Sequence, residues 1–142
     1  MKDKLTATLF VMLHLLIVLA HGKSHSQLHI HPTTWQGIFI ALVIVTGPIL
    51  AMSLLWMRLR IVGLVLLSAT MTGSLLFGVV YHFLIPGSDN ALGLHAGHWE
   101  SLFRMTAIWL AVTETVPVAW SVWALKQISR VGRGGAVKSA CS

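Results

Sequence analysis

The chain has 142 residues, of which 56% are hydrophobic and only 10% charged, with a formal net charge of +6. An ordinary soluble domain is about 25% charged, and the mean hydropathy of +0.80 points away from one. These figures exclude a soluble globule, a disordered chain and a nucleic-acid-binding domain. They leave one small polytopic membrane domain, too short to divide.

Between Leu5 and Leu125 the charges are Lys23, Arg58, Arg60, Asp89, Glu100, Arg104 and Glu114. Around them lie four apolar runs, and lipid, which offers no partner to an open backbone, requires that spanning segments be helical. The expected fold is therefore all-α, a small transmembrane helix bundle of four spans, or three if the first run is a cleaved signal peptide.

The first run, Leu5 to Ala20, follows the short charged stretch Met1-Lys2-Asp3-Lys4 and ends Val18-Leu19-Ala20. Both features fit a signal peptide. Asp3 and the interrupting His14 fit a retained helix instead, so residues 1–22 carry both readings. Residues 23–34 form a His-rich segment. Cleavage after Ala20 would leave His21 as an N-terminus whose amine and imidazole could chelate copper.

The core is residues 35–125, with spans from about Trp35 to Met57, Ile61 to Ile85 and Met105 to Leu125. Each reaches the roughly 20 residues needed to cross about 30 Å of hydrocarbon. Arg58 and Arg60 form a basic turn between the second and third spans, Lys2 and Lys4 precede the first, and Lys126, Arg130, Arg133 and Lys138 follow the fourth. The positive-inside rule places all of them on the cytoplasmic side. That gives a multi-pass protein of a bacterial-type inner membrane with a cytoplasmic C-terminus. Residues 126–142 read as an irregular basic strip against anionic headgroups. Their basicity needs no nucleic acid, since no aromatic residue interleaves with it.

The opposite side receives residues 23–34 and the loop 86–100, and with them the histidines. His21, His25, His29 and His31 fall within eleven residues, His82 ends the third span, and His95 and His98 lie in the second outer loop. His25 and His29 share a face if helical. His29 and His31 share one if extended, which Pro32 favours at His31. His95 and His98 are three apart, and Asp89 and Glu100 could add carboxylate oxygens. Neutral imidazole suits Zn²⁺, Cu²⁺ or Ni²⁺. The expected metal ligands are therefore drawn from His25, His29, His31, His82, His95 and His98. The plainer reading is a set of interfacial imidazoles that hydrogen-bond or titrate, with Trp35 and Trp99 in an aromatic belt. The single cysteine, Cys141, supplies neither a disulfide nor a thiolate cage.

Glu114 is the one carboxylate inside a span, near the middle of the fourth. It should be neutral, paired or facing a wet cavity, since an unpaired charge there costs about 2.5–3.5 kcal/mol on insertion scales. Thr46, Gly47, Pro48, Thr70, Thr72, Gly73 and His14 fall at similar depth. Pro48 and Pro117 remove the hydrogen bonds to the Ile44 and Thr113 carbonyls. Such an acid serves either an ion pathway or helix packing through a threonine. Ala69-x₃-Gly73 and Ser74-x₃-Gly78 make the third span a central helix or a face for a homo-oligomer. The stretch Tyr81-His82-Phe83-Leu84-Ile85-Pro86-Gly87-Ser88-Asp89-Asn90 reads as a helix ending at an interface, closed by a proline and a Pro-Gly turn.

Three functions follow. One is the binding or handling of a divalent transition metal through the outer histidines, in transport or in delivery to a membrane or extracytoplasmic partner. Another is a b-type haem held by the axial pair His21 and His82. The third is a cofactor-free accessory subunit. No Ser-His-acid set, phosphate loop or paired catalytic carboxylates is present, so no catalytic residue is nominated.

Overall fold

The structure is a computed structural model that describes residues 2–93 and 97–140, the last ten as backbone alone. It is all-helical among those residues, with four helices long and apolar enough to cross a membrane: α1 (Lys2–Gln27), α2 (Thr34–Trp56), α3 (Arg60–Leu84) and α4 (His98–Ala140). Helix α3 packs against both α2 and α4, and α1 lies against α4 and α2.

The bundle is inverted relative to a soluble one. Leu9, Leu16, Leu19, Leu42 and Leu76 point outward, while His14, His21, Ser24, Ser74, His82, Glu114 and Ser121 are buried. Hydrocarbon is as apolar as leucine, so burying leucine gains little, and polar side chains retreat to where they find partners.

One half has a conventional core of Ala7, Val11, Ala51, Leu55, Leu64, Leu67, Met71 and Ala124. Lys4, Arg58 and Arg60 gather at that end, while Lys23 and Arg104 lie at the other. Arg60 Nη2 lies 2.6 Å from Asp3 Oδ2, and Lys4 Nζ donates to the Trp56 carbonyl at 3.1 Å. Small residues on α3 serve contact within the chain. A Cβ on Gly73 would stand 3.1 Å from Val43 Cγ1, and one on Gly47 of α2 would stand 2.5 Å from Thr70 Cγ2.

Three boundaries differ from the apolar runs. Helix α1 continues past Ala20 to Gln27, because Gly22 to Gln27 lack hydropathy but can still hydrogen-bond as a helix. It ends at His29, whose φ is +53°. Ile30 N donates to the His25 carbonyl at 3.0 Å and His29 N to that of Ser26 at 3.3 Å, a Schellman closure in which a residue other than glycine takes the left-handed position. Helix α4 begins at His98 and runs on to Ala140, so the basic tail through Ala140 is helical rather than irregular. Helix α2 starts on a capping box: Thr33 Oγ1 accepts from Gln36 N, and Gln36 Oε1 accepts from Thr33 N.

Two helices contain π-helical turns, at Ile40–Thr46 in α2 and Val80–Leu84 in α3. The first sits just before Pro48, which cannot donate to Ile44. Such turns are frequent at functional sites, and both flank the polar interior.

Candidate metal centre

At the end of the bundle away from Lys4, Arg58 and Arg60, α1 brings His21 and His25 onto one face, as a spacing of four dictates. The last turn of α3 brings His82 against them. His21 Nε2 lies 3.1 Å from His82 Nε2 and 3.2 Å from His25 Nε2. One ligand atom from each of the three fits within 4.8 Å of the others, so together they could hold a metal ion. His21 and His82 are buried and His25 is half-buried.

The partners of the other ring nitrogens decide the tautomers. His25 Nδ1 lies 3.4 Å from the Ile30 carbonyl and His82 Nδ1 lies 3.1 Å from the Asp89 carbonyl. A carbonyl only accepts, so both Nδ1 atoms carry the proton. His21 Nδ1 is 2.8 Å from Thr106 Oγ1. That hydroxyl is itself 2.7 Å from the Leu102 carbonyl and donates there, so it accepts from His21. With Nδ1 as the single donor of each ring, an Nε2 lone pair from each turns toward the others. Fixing one nitrogen to orient the other is the usual outer-sphere arrangement of metal-bound histidine.

A carboxylate stands beside them. Asp89 Oδ1 is 3.4 Å from His25 Nε2 and 3.1 Å from His82 Nδ1. It is buried without a hydrogen bond, which leaves it available as a fourth ligand or as counter-charge. Phe103 is fully buried against the imidazoles, with ring centroids 4.8 Å from His21, 4.9 Å from His25 and 5.2 Å from His82. Together with Ile30 and Ala91 it walls off this end of the bundle.

The loop after α3 is bound back over the site. Ala91 N donates to the His82 carbonyl at 2.8 Å, Asn90 Nδ2 to that of Ile85 at 3.0 Å and Arg104 Nε to that of Ala91 at 3.1 Å. The Tyr81–Asn90 stretch thus carries two partners in the cluster, His82 and Asp89.

A cavity of about 560 Å³ is lined by His21, His25, His82 and Asp89, and extends to Ser74 and Glu114. His31 is exposed and lines the same cavity beside Pro32. His29 is exposed at the helix cap. His98 is exposed at the start of α4, its ring edge-on to Trp99 at 5.1 Å. His95 lies outside the described residues. The histidines brought together are thus His21, His25 and His82, with Asp89. Thr106 and Phe103 were not foreseen, because nothing in their type or spacing marks them.

Comparison with family models, with curated proteins and with solved structures gave no match.

Proposed function

We propose that this chain is a membrane protein that binds a divalent transition metal at His21, His25 and His82 and hands it on, inward or to a partner protein. One observation carries the reading: three imidazole Nε2 atoms converge, with the Nδ1 atoms of His25 and His82 turned away to backbone carbonyls, so that with Nδ1 as each ring's single donor three lone pairs meet. A proton placed there satisfies two of them at most. A metal ion satisfies all three.

The spacing agrees. Two metal–nitrogen bonds of about 2.0–2.1 Å at a tetrahedral angle set their nitrogens about 3.3 Å apart, close to the 3.1 and 3.2 Å observed. Imidazole with carboxylate and no thiolate suits Zn²⁺, Cu²⁺ or Ni²⁺. Haem fits less well. Axial histidines stand about 4 Å apart across the iron, with the porphyrin between the rings. Here the two Nε2 atoms are 3.1 Å apart, and a third imidazole occupies the same corner.

The setting supports an extracytoplasmic site. Lys2, Lys4, Arg58, Arg60, Lys126 and Arg130 lie on one side and the cluster on the other, with only Lys23 and Arg104 as exceptions, so the positive-inside rule turns the metal centre outward and the C-terminus toward the cytoplasm of a bacterial-type inner membrane. Helix α1 contributes two ligands and packs Ala7 and Val11 into the core, which supports its retention as the first span.

The test is elemental analysis and an optical spectrum of the detergent-purified chain after loading with Zn²⁺ or Co²⁺. The reading expects bound metal without a haem Soret band, and a loss of affinity of at least about 100-fold in His25→Ala and His82→Ala. Equal binding by wild type and both variants would leave the accessory-subunit reading in its place.

A further inference from the structure

Deeper in the bundle a second set of polar groups repeats the logic of the outer centre. His14 on α1 is fully buried. Its Nε2 lies 3.1 Å from the Ile44 carbonyl, the acceptor that Pro48 leaves without its helical donor. That contact places the proton of His14 on Nε2 and leaves Nδ1 as a lone pair. Nδ1 has no hydrogen-bond partner. It faces Glu114 Oε1 at 3.8 Å, and the same oxygen accepts from Ser74 Oγ. Glu114 is 3% exposed. Two acceptors thus confront each other in a buried, apolar setting.

A separation of 3.8 Å suits an imidazolium–carboxylate pair, if His14 takes a second proton, or two ligands of one cation, and it suits a direct or water-mediated hydrogen bond less well. A hydrogen bond from a protonated Glu114 to Nδ1 needs about 2.7–3.2 Å, which is too short. A water donating to both acceptors, with two bonds of about 2.8 Å, spans about 4.6 Å at a tetrahedral angle and reaches 3.8 Å only near a right angle. A metal ion with two bonds of about 2.0–2.2 Å spans up to about 4.2 Å and reaches 3.8 Å at a wide angle.

We infer that His14 Nδ1 and Glu114, whose Oε1 is oriented by the Ser74 hydroxyl, form a second binding station for a divalent transition metal near the middle of the bundle. Ser74 lies eight residues before His82 on α3, about 12 Å along the axis. The cavity lined by the outer histidines also reaches Ser74 and Glu114, which brings it to the carboxylate side of the station. This inference leans on the proposed function only for the approach through that cavity, since the deeper ligands are separate residues.

The experiment is Co²⁺ titration of the full chain in detergent, with bound metal measured by elemental analysis and coordination followed by visible absorption. Wild type should bind about two equivalents and Glu114→Gln about one. His14→Gln should match Glu114→Gln, and His25→Ala/His82→Ala should lose the other equivalent. The outer-site spectrum retained in Glu114→Gln reports that the variant is folded. If Glu114→Gln and His14→Gln bind as much Co²⁺ as wild type, the station holds no metal and the inference fails. If they lose one equivalent while the outer double variant loses none, the deeper station stands and the outer reading fails.

Discussion

His29 illustrates how a single backbone angle separates a ligand from a cap. Its φ of +53° is sterically costly for a residue with a Cβ, by about 1–2 kcal/mol, and glycine escapes that cost. His29→Gly should therefore raise stability by about 1 kcal/mol, read as a higher unfolding midpoint in detergent, and leave metal affinity unchanged. Thr106 makes the opposite case. Its hydroxyl accepts from His21 Nδ1 and holds the tautomer, so Thr106→Val should lower metal affinity by about 10–100-fold with the fold intact. Titration with Co²⁺ measures it. These two residues also mark how much of the site the sequence discloses. Histidine type and crowding point to the right end of the molecule, and Asp89 is visible as a nearby oxygen. The spacing read from the sequence pairs His25 with His29, whereas the structure uses the other pair four apart, His21 with His25. No glycine marks the end of α1, so the choice between them depends on a cap that residue types do not announce. Thr106 and Phe103 look like any threonine and phenylalanine on an apolar helix.

At the scale of elements, hydropathy finds all four helices but misplaces their ends. Water-facing turns add hydrogen-bonded length without adding apolar residues. The π-helical turns are less legible still, although Pro48 signals that the ladder near Ile44 must break. Close contact between α2 and α3 depends on Gly47. An added methyl would meet Thr70 Cγ2 at 2.5 Å, and Thr70 has little room to yield, since its hydroxyl donates to the Leu66 carbonyl at 2.9 Å and its χ1 is stiff. Gly47→Ala should cost about 1–3 kcal/mol. Thr70→Ser, which removes the offending methyl, should recover most of the loss in the double variant. Thermal unfolding of the four proteins closes that cycle.

At the scale of the whole molecule, the two ends differ in chemistry. One is cationic and packed with leucine, alanine and methionine. The other is built from imidazole, carboxylate and a bound-back loop. On a Cys141→Ser background, Ser88→Cys should react with a membrane-impermeant maleimide applied outside cells, and Met57→Cys should react only after permeabilisation. The reverse pattern would turn the metal centre to the cytoplasm. The cluster also joins parts of the chain that are distant in order, since His21 and His82 are 61 residues apart. An ion seated there would be a removable rivet between the first and third helices. Chelation should therefore speed amide exchange at the histidine end while the cationic end keeps its protection, so that loading and unloading the ion would set how readily that half of the bundle loosens.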